Sequence, residues 1–518
     1  MFKWLTAGIA AFSLLFATPA LAQTPPGVLL VGQIAEPKSL DPQASTATND
    51  FRILVNMYDG LVRFKKGTLE VEPSLATDWS ISDDGLTYTF ELREDVTFHD
   101  GTPFDAEAVK FTFERMLKED HPFHDTGPFP LAFFFSAIDT ITATDPTTVE
   151  FRLKEPFAPF LSNLAYPTGL IVSPTAVETF GKEFGRNPVG TGAFEFEEWA
   201  ANQRVVATGF AEHWDGAPAL EAVVFRPVTD ANTRVAEMLS GGLDMMVEVP
   251  ADSLQTFRDD ATFEVFEEAG PHLWFLILNT REGPFADKRV RQAVNYAIDK
   301  QAIAENVLQG TADVAAGPIP PAFTWANDGS VEPYPHDPEK ARALIEEAGA
   351  SGQTVTFYVA EGGSGMLDPV AMAAAIQADL EKVGLTARIE TYEWNTFLSN
   401  VNQGLEGKAD MAEMAWMTND PDTLPFLALR SDAVPSEGGF NSGYYANPEV
   451  DALLDKARRT TDQAERATYY NQIQRIVHED APWAFIANWK QNAVARSQVQ
   501  NFSLEPSFLL ILKDVSKG

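Results

Sequence analysis

Apolar and polar residues alternate between positions 86 and 92, directly after the dipeptide Asp84–Gly85. Because glycine tolerates the positive φ of a tight turn, the pattern predicts a hairpin turn followed by a strand with one apolar face. After Asp105 the apolar spacing becomes helical, through Val109, Phe113 and Leu117. Asp105 is a good N-cap candidate. These residues predict a hairpin and a helix that pack together.

Strands and helices alternate through the second half of the chain, which predicts an α/β lobe. Residues 273–279 are almost wholly apolar, as expected of a strand buried on both faces. A long helix is predicted over residues 287–308, and another begins at Asp337, with Pro338 at its first position. The further predicted elements are a strand at 355–359, a helix at 369–383, a strand at 387–390 and a helix at 464–479.

Hydroxyl groups cluster before a predicted helix near residue 50. Ser45 and Thr46 precede Asn49 and Asp50, either of which could cap the helix, and Tyr58 lies on its apolar face. Two interpretations stay open for the hydroxyls. They cap the helix, or they line a ligand cleft.

Residues 1–22 have the organisation of a secretory signal peptide. Lys3 supplies the positive charge, residues 5–16 the apolar segment, and Ala20-Leu21-Ala22 the cleavage site. Removing 22 of the 518 residues leaves 496, enough for two or three domains. The chain has no cysteine, so we expect neither disulfides nor a lipid-modified cysteine. The sequence predicts a periplasmic protein without a lipid anchor.

Acidic residues outnumber basic residues by 74 to 38, which gives a formal net charge of −36. Such a field repels nucleic acid and anionic membranes, so both are poor partners. No catalytic set stands out: there is no cysteine nucleophile and no G-x-S-x-G sequence. His121 and His124 lie close together, but in a proline-rich loop typical of a solvated surface. We therefore predict no catalytic residue, no metal site and no cofactor.

Two long motifs carry a family resemblance. Residues 76–109 read A-x-D-W-x-x-S-x-D-G-L-T-Y-T-F-x-L-R-x-x-V-x-F-H-D-G-x-P-F-x-A-x-x-V, and residues 278–299 read L-N-T-x-x-x-P-F-x-D-x-R-V-R-Q-A-V-N-Y-A-I-D. Both are similar to segments of the peptide/nickel family (family 5) of periplasmic solute-binding proteins of ABC importers, which includes dipeptide, oligopeptide and glutathione binders. The resemblance covers nearly the whole mature chain.

This resemblance implies an α/β fold of the type II periplasmic-binding-protein class, with two lobes joined by a hinge. Lobe I would combine residues 27–66, 190–275 and 488–518, with a small inserted subdomain at 67–189. Lobe II would span residues 276–487. The implied function is capture of peptides or peptide-like solutes and delivery to the membrane subunits of an ABC permease, by a protein expected to be a monomer.

The candidate ligand site is the segment A-W-M-T-N-D-P-D at residues 415–422. Trp416 follows an apolar run and precedes a polar loop, as at a strand end that opens into a crevice. The alternative is an Asx turn with Trp416 in the core. The family places substrate contacts here, which favours the ligand site. The predicted ligand-binding residues are Trp416, Asn419, Asp420, Asp422, Ser45, Thr46, Tyr58, Trp394, Phe440 and Asn441.

Two departures from the dipeptide binders of this family bear on the ligand. Their ammonium-binding Asp lies in a longer loop, and Asn419 or Asp420 falls near its position here. Their carboxylate-binding Arg is absent from residues 362–369, G-G-S-G-M-L-D-P. The sequence therefore predicts that this protein lacks the pair of charged residues by which dipeptide binders hold both termini of the ligand. We expect Trp416→Ala and Asp420→Ala to weaken binding while the fold keeps its stability.

Other functions stay open. Opines, other amino-acid conjugates or a chelated metal could replace a peptide as ligand. A secreted hydrolase acting on peptides or esters would need a nucleophile–base pair, which the sequence does not nominate. A chaperone-like binder would hold unfolded chains loosely rather than bind a small ligand saturably.

Overall fold

The structure is a computed structural model that describes residues 25–363 and 365–518. The predicted signal peptide, residues 1–22, lies outside the described residues. The strands are β1 Val28–Gln33, β2 Val62–Phe64, β3 Val71–Pro73, β4 Ala76–Ile81, β5 Thr87–Leu92, β6 Ile138–Asp145, β7 Thr148–Leu153, β8 Phe194–Ala200, β9 Arg204–Gly209, β10 Ala222–Pro227, β11 Met245–Val247, β12 Phe263–Ala269, β13 His272–Leu278, β14 Ala312–Val314, β15 Thr354–Ala360, β16 Thr386–Tyr392, β17 Met411–Met417, β18 Trp483–Arg496, β19 Val499–Gln500 and β20 Ser516–Lys517.

Most helices begin where a side-chain cap is available. The helices are α1 Thr48–Met57, α2 Ala106–Leu117, α3 Phe160–Ala165, α4 Pro174–Phe180, α5 Ala231–Ser240, α6 Ala251–Arg258, α7 Lys288–Ala297, α8 Lys300–Ala302, α9 Pro338–Glu347, α10 Pro369–Lys382, α11 Trp394–Val401, α12 Thr423–Ala428, α13 Pro448–Arg459 and α14 Gln463–Asp480. Asp105 accepts a hydrogen bond from the backbone N–H of Ala108 (2.9 Å), which confirms its capping role. Asp337 caps α9 in the same way.

Two sequence predictions about helices are wrong. The helix predicted over residues 287–308 is interrupted, because Ile298 is extended (φ −76°, ψ 123°) and Asp299 caps a new start. Neither Asn49 nor Asp50 caps α1, whose N-cap residue is Ala47 and makes no side-chain cap. Asp50 lies inside the first turn and accepts from the N–H of Lys38.

One sheet extends through both lobes because they share the 14-residue strand β18. Its strand order is β16-β15-β17-β13-β18-β11-β1-β10-β9-β8, and β12 and β14 also pair with β18. Residues 483–487 of β18 pair with β13, whereas residues 490–496 pair with β12. We call the first group of strands, β13–β17, lobe II, and the second, β1 with β8–β12, lobe I. The chain crosses between lobes at residues 269–272 and again within β18.

The predicted domain limit between residues 275 and 276 falls inside β13. The whole of β13 pairs with β17, so this strand belongs to the sheet of lobe II. At the crossover, Gly270 packs so closely that an added Cβ would lie 1.7 Å from the ring of Phe508. His272 accepts from the N–H of Trp489 (3.2 Å), which ties the two crossover segments together. Burial lowers the pKa of His272 to about 4, so it stays neutral there.

An antiparallel sheet in the order β4-β5-β7-β6 forms the inserted subdomain with α2 and α3. The predicted hairpin is confirmed: Gly85 has φ +69°, and Tyr88, Phe90 and Leu92 are buried on one face of β5. Phe90 meets Phe151 edge to face at 5.7 Å. This aromatic core makes the subdomain a rigid support for α3, the helix that faces lobe II. Within the described ranges, no helix combines the length and apolar character needed to cross a membrane.

Candidate functional site

A cavity of about 60 Å³ lies where the two lobes and the inserted subdomain meet. It is smaller than the roughly 300–1,000 Å³ that is usual for small-molecule sites, so a ligand the size of a dipeptide would need the lobes further apart. Helix α1 and the C-terminal segment supply one side, and the end of β17 supplies the other. The described lining residues are Thr48, Phe51, Phe64, Leu69, Phe134, Tyr166, Pro271, Met417, Thr418, Asn419, Thr423, Ser507 and Leu509.

Three aromatic rings form one wall of this cavity. Tyr166 meets Phe51 edge to face at 5.3 Å and Phe134 at 5.7 Å, measured between ring centroids. Phe51 comes from α1 of lobe I, whereas Phe134 and Tyr166 come from the inserted subdomain. Burial raises the pKa of Tyr166 to about 12, so its hydroxyl is neutral at ordinary pH. This wall offers apolar and aromatic contact to a ligand.

The described lining contains no Asp, Glu, Lys or Arg side chain. Its polar side chains carry the hydroxyls of Thr48, Tyr166, Thr418, Thr423 and Ser507 and the amide of Asn419. The Asn419 amide is already used, because its Nδ2 donates to Oδ1 of Asn163 at 2.7 Å. The cavity can therefore give a ligand apolar surface and a few neutral hydrogen bonds.

Charged groups lie beside the cavity and neutralise one another. Arg466 on α14 donates to Oδ1 of Asp420 at 2.8 Å, and this pair is buried, with Asp420 1% and Arg466 7% exposed. Ser162 donates to the other oxygen of Asp420, also at 2.8 Å. Asp422 lies 3.7 Å from Arg458, and burial raises its pKa to about 6. Two carboxylates thus face two guanidinium groups.

The inserted subdomain and lobe II touch through α3 and the segment that precedes it. The hydrogen bonds Ser162–Asp420 and Asn163–Asn419 join α3 to the polar loop after β17. The backbone N–H of Ala158 also donates to the carbonyl of Arg458 at 2.7 Å. The inserted subdomain and lobe II are therefore in direct contact beside the cavity.

The predicted site residues of lobe I lie away from the cavity. Ser45 is buried and donates to Asp50 at 2.6 Å, and the N–H of Ala47 donates to Ser45, so its hydroxyl serves the local turn. Thr46 is exposed. Tyr58 donates to the carbonyl of Leu40 at 2.9 Å and borders a different cavity, between α1, the β2–β3 hairpin and the C-terminal segment.

In lobe II the structure brings only Asn419 of the predicted residues into the described lining. Trp416 packs edge to face on Phe440, with ring centroids 5.3 Å apart. Trp394 begins α11 and stacks on Phe397. Asn441 is buried, and its amide donates to the carbonyls of Arg430 and Tyr445. Asp420 and Asp422 are in the charged cluster described above.

Sequence reasoning missed the aromatic wall. Phe134 lies in an irregular aromatic stretch, Phe133-Phe134-Phe135, which is the one local signal that could have nominated it. Phe51 and Tyr166 have the appearance of ordinary core residues, and they are separated by 115 positions along the chain. Met417 and Thr418, which also line the cavity, follow Trp416 directly in the predicted segment.

The described residues contain no group of three or more His, Cys, Asp or Glu side chains that could hold a metal ion. His124 hydrogen-bonds to the carbonyl of Arg115 through Nδ1 at 2.9 Å, and Nδ1 of His121 accepts from the N–H of Phe123. These two histidines therefore form hydrogen bonds within their loop and with the end of α2.

The comparisons with known proteins agree with this architecture. Residues 70–437 match the family model described as bacterial extracellular solute-binding proteins, family 5. The di/tripeptide-binding protein 2 of Pseudomonas aeruginosa is 32% identical over 95% of each chain. The glutathione-binding protein GsiB of Pectobacterium atrosepticum is 31% identical over 99% of this chain and 98% of its own. The structure of HbpA2 from Haemophilus parasuis superposes with a TM-score of 0.88 at 29% identity, over 95% of this chain and all of that one. The chain belongs to family 5 of the bacterial extracellular solute-binding proteins.

Proposed function

We propose that this protein captures a peptide or peptide-like solute between its lobes and delivers it to the membrane subunits of an ABC permease. The observation that carries the proposal is the cavity itself, because residues of lobe I, lobe II and the inserted subdomain all line it. A ligand held there contacts both lobes and the inserted subdomain at once. It therefore favours the closed arrangement over the open one.

The proposal includes the place of action. The protein acts as a monomer in the periplasm after cleavage of residues 1–22, and without a lipid anchor. The sequence of the leader and the lack of cysteine support this. The names of the similar proteins, which bind di- and tripeptides or glutathione, support the peptide-like class of ligand.

The first experiment is mass spectrometry of any small molecule released when the purified mature protein is denatured. A stoichiometric peptide or conjugate supports the proposal and identifies the ligand. If the protein is empty, a thermal-shift screen of peptides, opines and amino-acid conjugates follows, because a ligand that binds the folded form raises the melting temperature. The proposal is wrong if no member of that screen binds saturably.

A second experiment separates binding from hydrolysis. The pure protein is incubated with each ligand that binds, and the ligand is analysed by mass spectrometry over several hours. A binding protein returns it intact. Turnover that is lost on mutation of a single residue would establish a hydrolase instead.

A further inference from the structure

We propose that the inter-lobe cavity selects ligands that carry no charged terminus, such as cyclic dipeptides or peptides with both ends blocked. The inference rests on the proposed function and narrows its ligand class. Its first support is the lining, in which no described residue is ionisable as an acid or a base except the neutral phenol of Tyr166.

Asp420, in the loop next to the cavity, cannot serve as a binding partner for an ammonium group. Both oxygens of Asp420 are occupied, one by Arg466 and the backbone N–H of Asp422, the other by Ser162. Its negative charge is matched by the guanidinium of Arg466 at 2.8 Å. An ammonium placed nearby would meet an ion pair with no net charge.

The two arginines beside this loop are likewise engaged. Arg466 faces Asp420 and is 7% exposed, and it also donates to the hydroxyl of Tyr470. Arg458 lies against Asp422 and over the ring of Phe426, at 3.4 Å from its centroid. Neither arginine lines the cavity. A carboxylate in the cavity would therefore lack a charged partner among the described residues that line it.

The neutral groups that do line the cavity suit amides. The hydroxyls of Thr48, Thr418 and Ser507 can donate to a carbonyl or accept from an N–H. The wall of Phe51, Phe134 and Tyr166 can pack on apolar side chains. Because an ion buried without a partner is strongly disfavoured, a zwitterionic dipeptide should bind roughly 100-fold more weakly than its uncharged form.

The test uses the full mature protein and isothermal titration calorimetry. Two apolar dipeptides, Leu-Phe and Val-Leu, are each measured as the free zwitterion, as the N-acetylated amide and as the cyclic dipeptide. For each dipeptide, we expect one of the two uncharged forms to bind about 100-fold tighter than the zwitterion. If the zwitterion binds as tightly or tighter, the inference is overturned while the proposed function stands. If no form of either dipeptide binds, the inference is overturned, and the proposed function is judged by the wider thermal-shift screen.

A variant tests whether the lining sets this preference. Met417 lines the cavity and is 38% exposed, so Met417→Lys adds a cation with little disturbance of the core. We expect this variant to bind the N-acetylated dipeptide acid at least about 10-fold tighter than wild type does. Val370→Lys is the matched control, because Val370 is 47% exposed on α10 and does not line the cavity. If the folded Met417→Lys variant has the same preference for uncharged ligands as wild type, the inference is overturned.

Discussion

The polar loop at residues 419–422 and the aromatic wall of Phe51, Phe134 and Tyr166 border the same space but differ in chemistry. In the loop, the carboxylates are buried and matched by arginines of the same lobe. In the wall, the rings contact one another across lobe I and the inserted subdomain and leave a face toward the cavity.

The difference shows that a run of polar residues at a strand end need not be the surface that meets the ligand. Asp420 and its partners stabilise lobe II and the contact with α3, whereas the apolar wall provides the contact area. Changes in the loop should therefore affect folding more than specificity, and changes in the wall should affect binding more than folding.

The largest expected effect is that of Asp420→Ala on stability. The change leaves Arg466 buried without its counterion, so the free energy of unfolding should fall by about 3–5 kcal/mol. This prediction differs from the expectation from sequence, which is that the variant keeps wild-type stability. Urea denaturation measures it. The double variant Asp420→Ala/Arg466→Met should recover most of the loss, and a loss below about 1 kcal/mol in the single variant would contradict the comparison.

Glu413 on β17 contrasts with Asp420. Both are buried acids, but no cation in the described part of the chain lies beside Glu413. One oxygen accepts from the N–H of Ala360 at 2.8 Å, and the other has no partner among the described residues. Burial raises its pKa to about 8 from an ordinary value of 4.5. Between these values the unfolded chain releases the proton and the folded protein keeps it, so stability is full at low pH and declines as pH rises.

Glu413→Gln should remove this dependence on pH. Relative to wild type, the variant should gain about 3 kcal/mol of unfolding free energy between pH 4.5 and pH 7. Urea unfolding of both proteins at several pH values gives the difference, in which other titrating groups cancel. A difference that stays constant with pH would show that Glu413 ionises normally in the folded protein.

Tyr166→Ala tests the wall. Removing a half-buried ring that lines the cavity should weaken binding by about 2 kcal/mol, or roughly 30-fold. Titration calorimetry with the tightest ligand of the dipeptide series measures this effect. Tyr166→Phe keeps the ring and should bind within about 3-fold of wild type. An alanine variant that binds equally well would place the ligand elsewhere.

The smallest effect is expected for the exposed ion pair between Glu155 and Arg459, which also bridges the inserted subdomain and lobe II. Its atoms are 3.7 Å apart and its side chains are 65% and 62% exposed. Because water screens such pairs, Arg459→Gln should change the free energy of unfolding by less than about 0.5 kcal/mol. A loss as large as that of Asp420→Ala would show that exposure does not distinguish the two ion pairs.

Features set by neighbouring residues could be predicted from the sequence. The caps Asp105 and Asp337 each accept from an N–H three residues later, and the turn at Gly85 needs only its own φ. The prediction of one continuous helix over residues 287–308 was wrong because packing with distant residues overrode the local pattern. Its apolar spacing continues through Ile298, but the backbone breaks there and Ile298 packs in the core of lobe II.

By itself the sequence determined the α/β character, the inserted hairpin–helix unit, the absence of thiol chemistry and, through two long motifs, the family. Only the tertiary structure decided which polar groups are free. Asp420 meets an arginine 46 positions away, and Asn419 meets Asn163 from 256 positions away. Such partners depend on how separate elements dock. The charge of a site is a sum over residues that only folding brings within reach of one another.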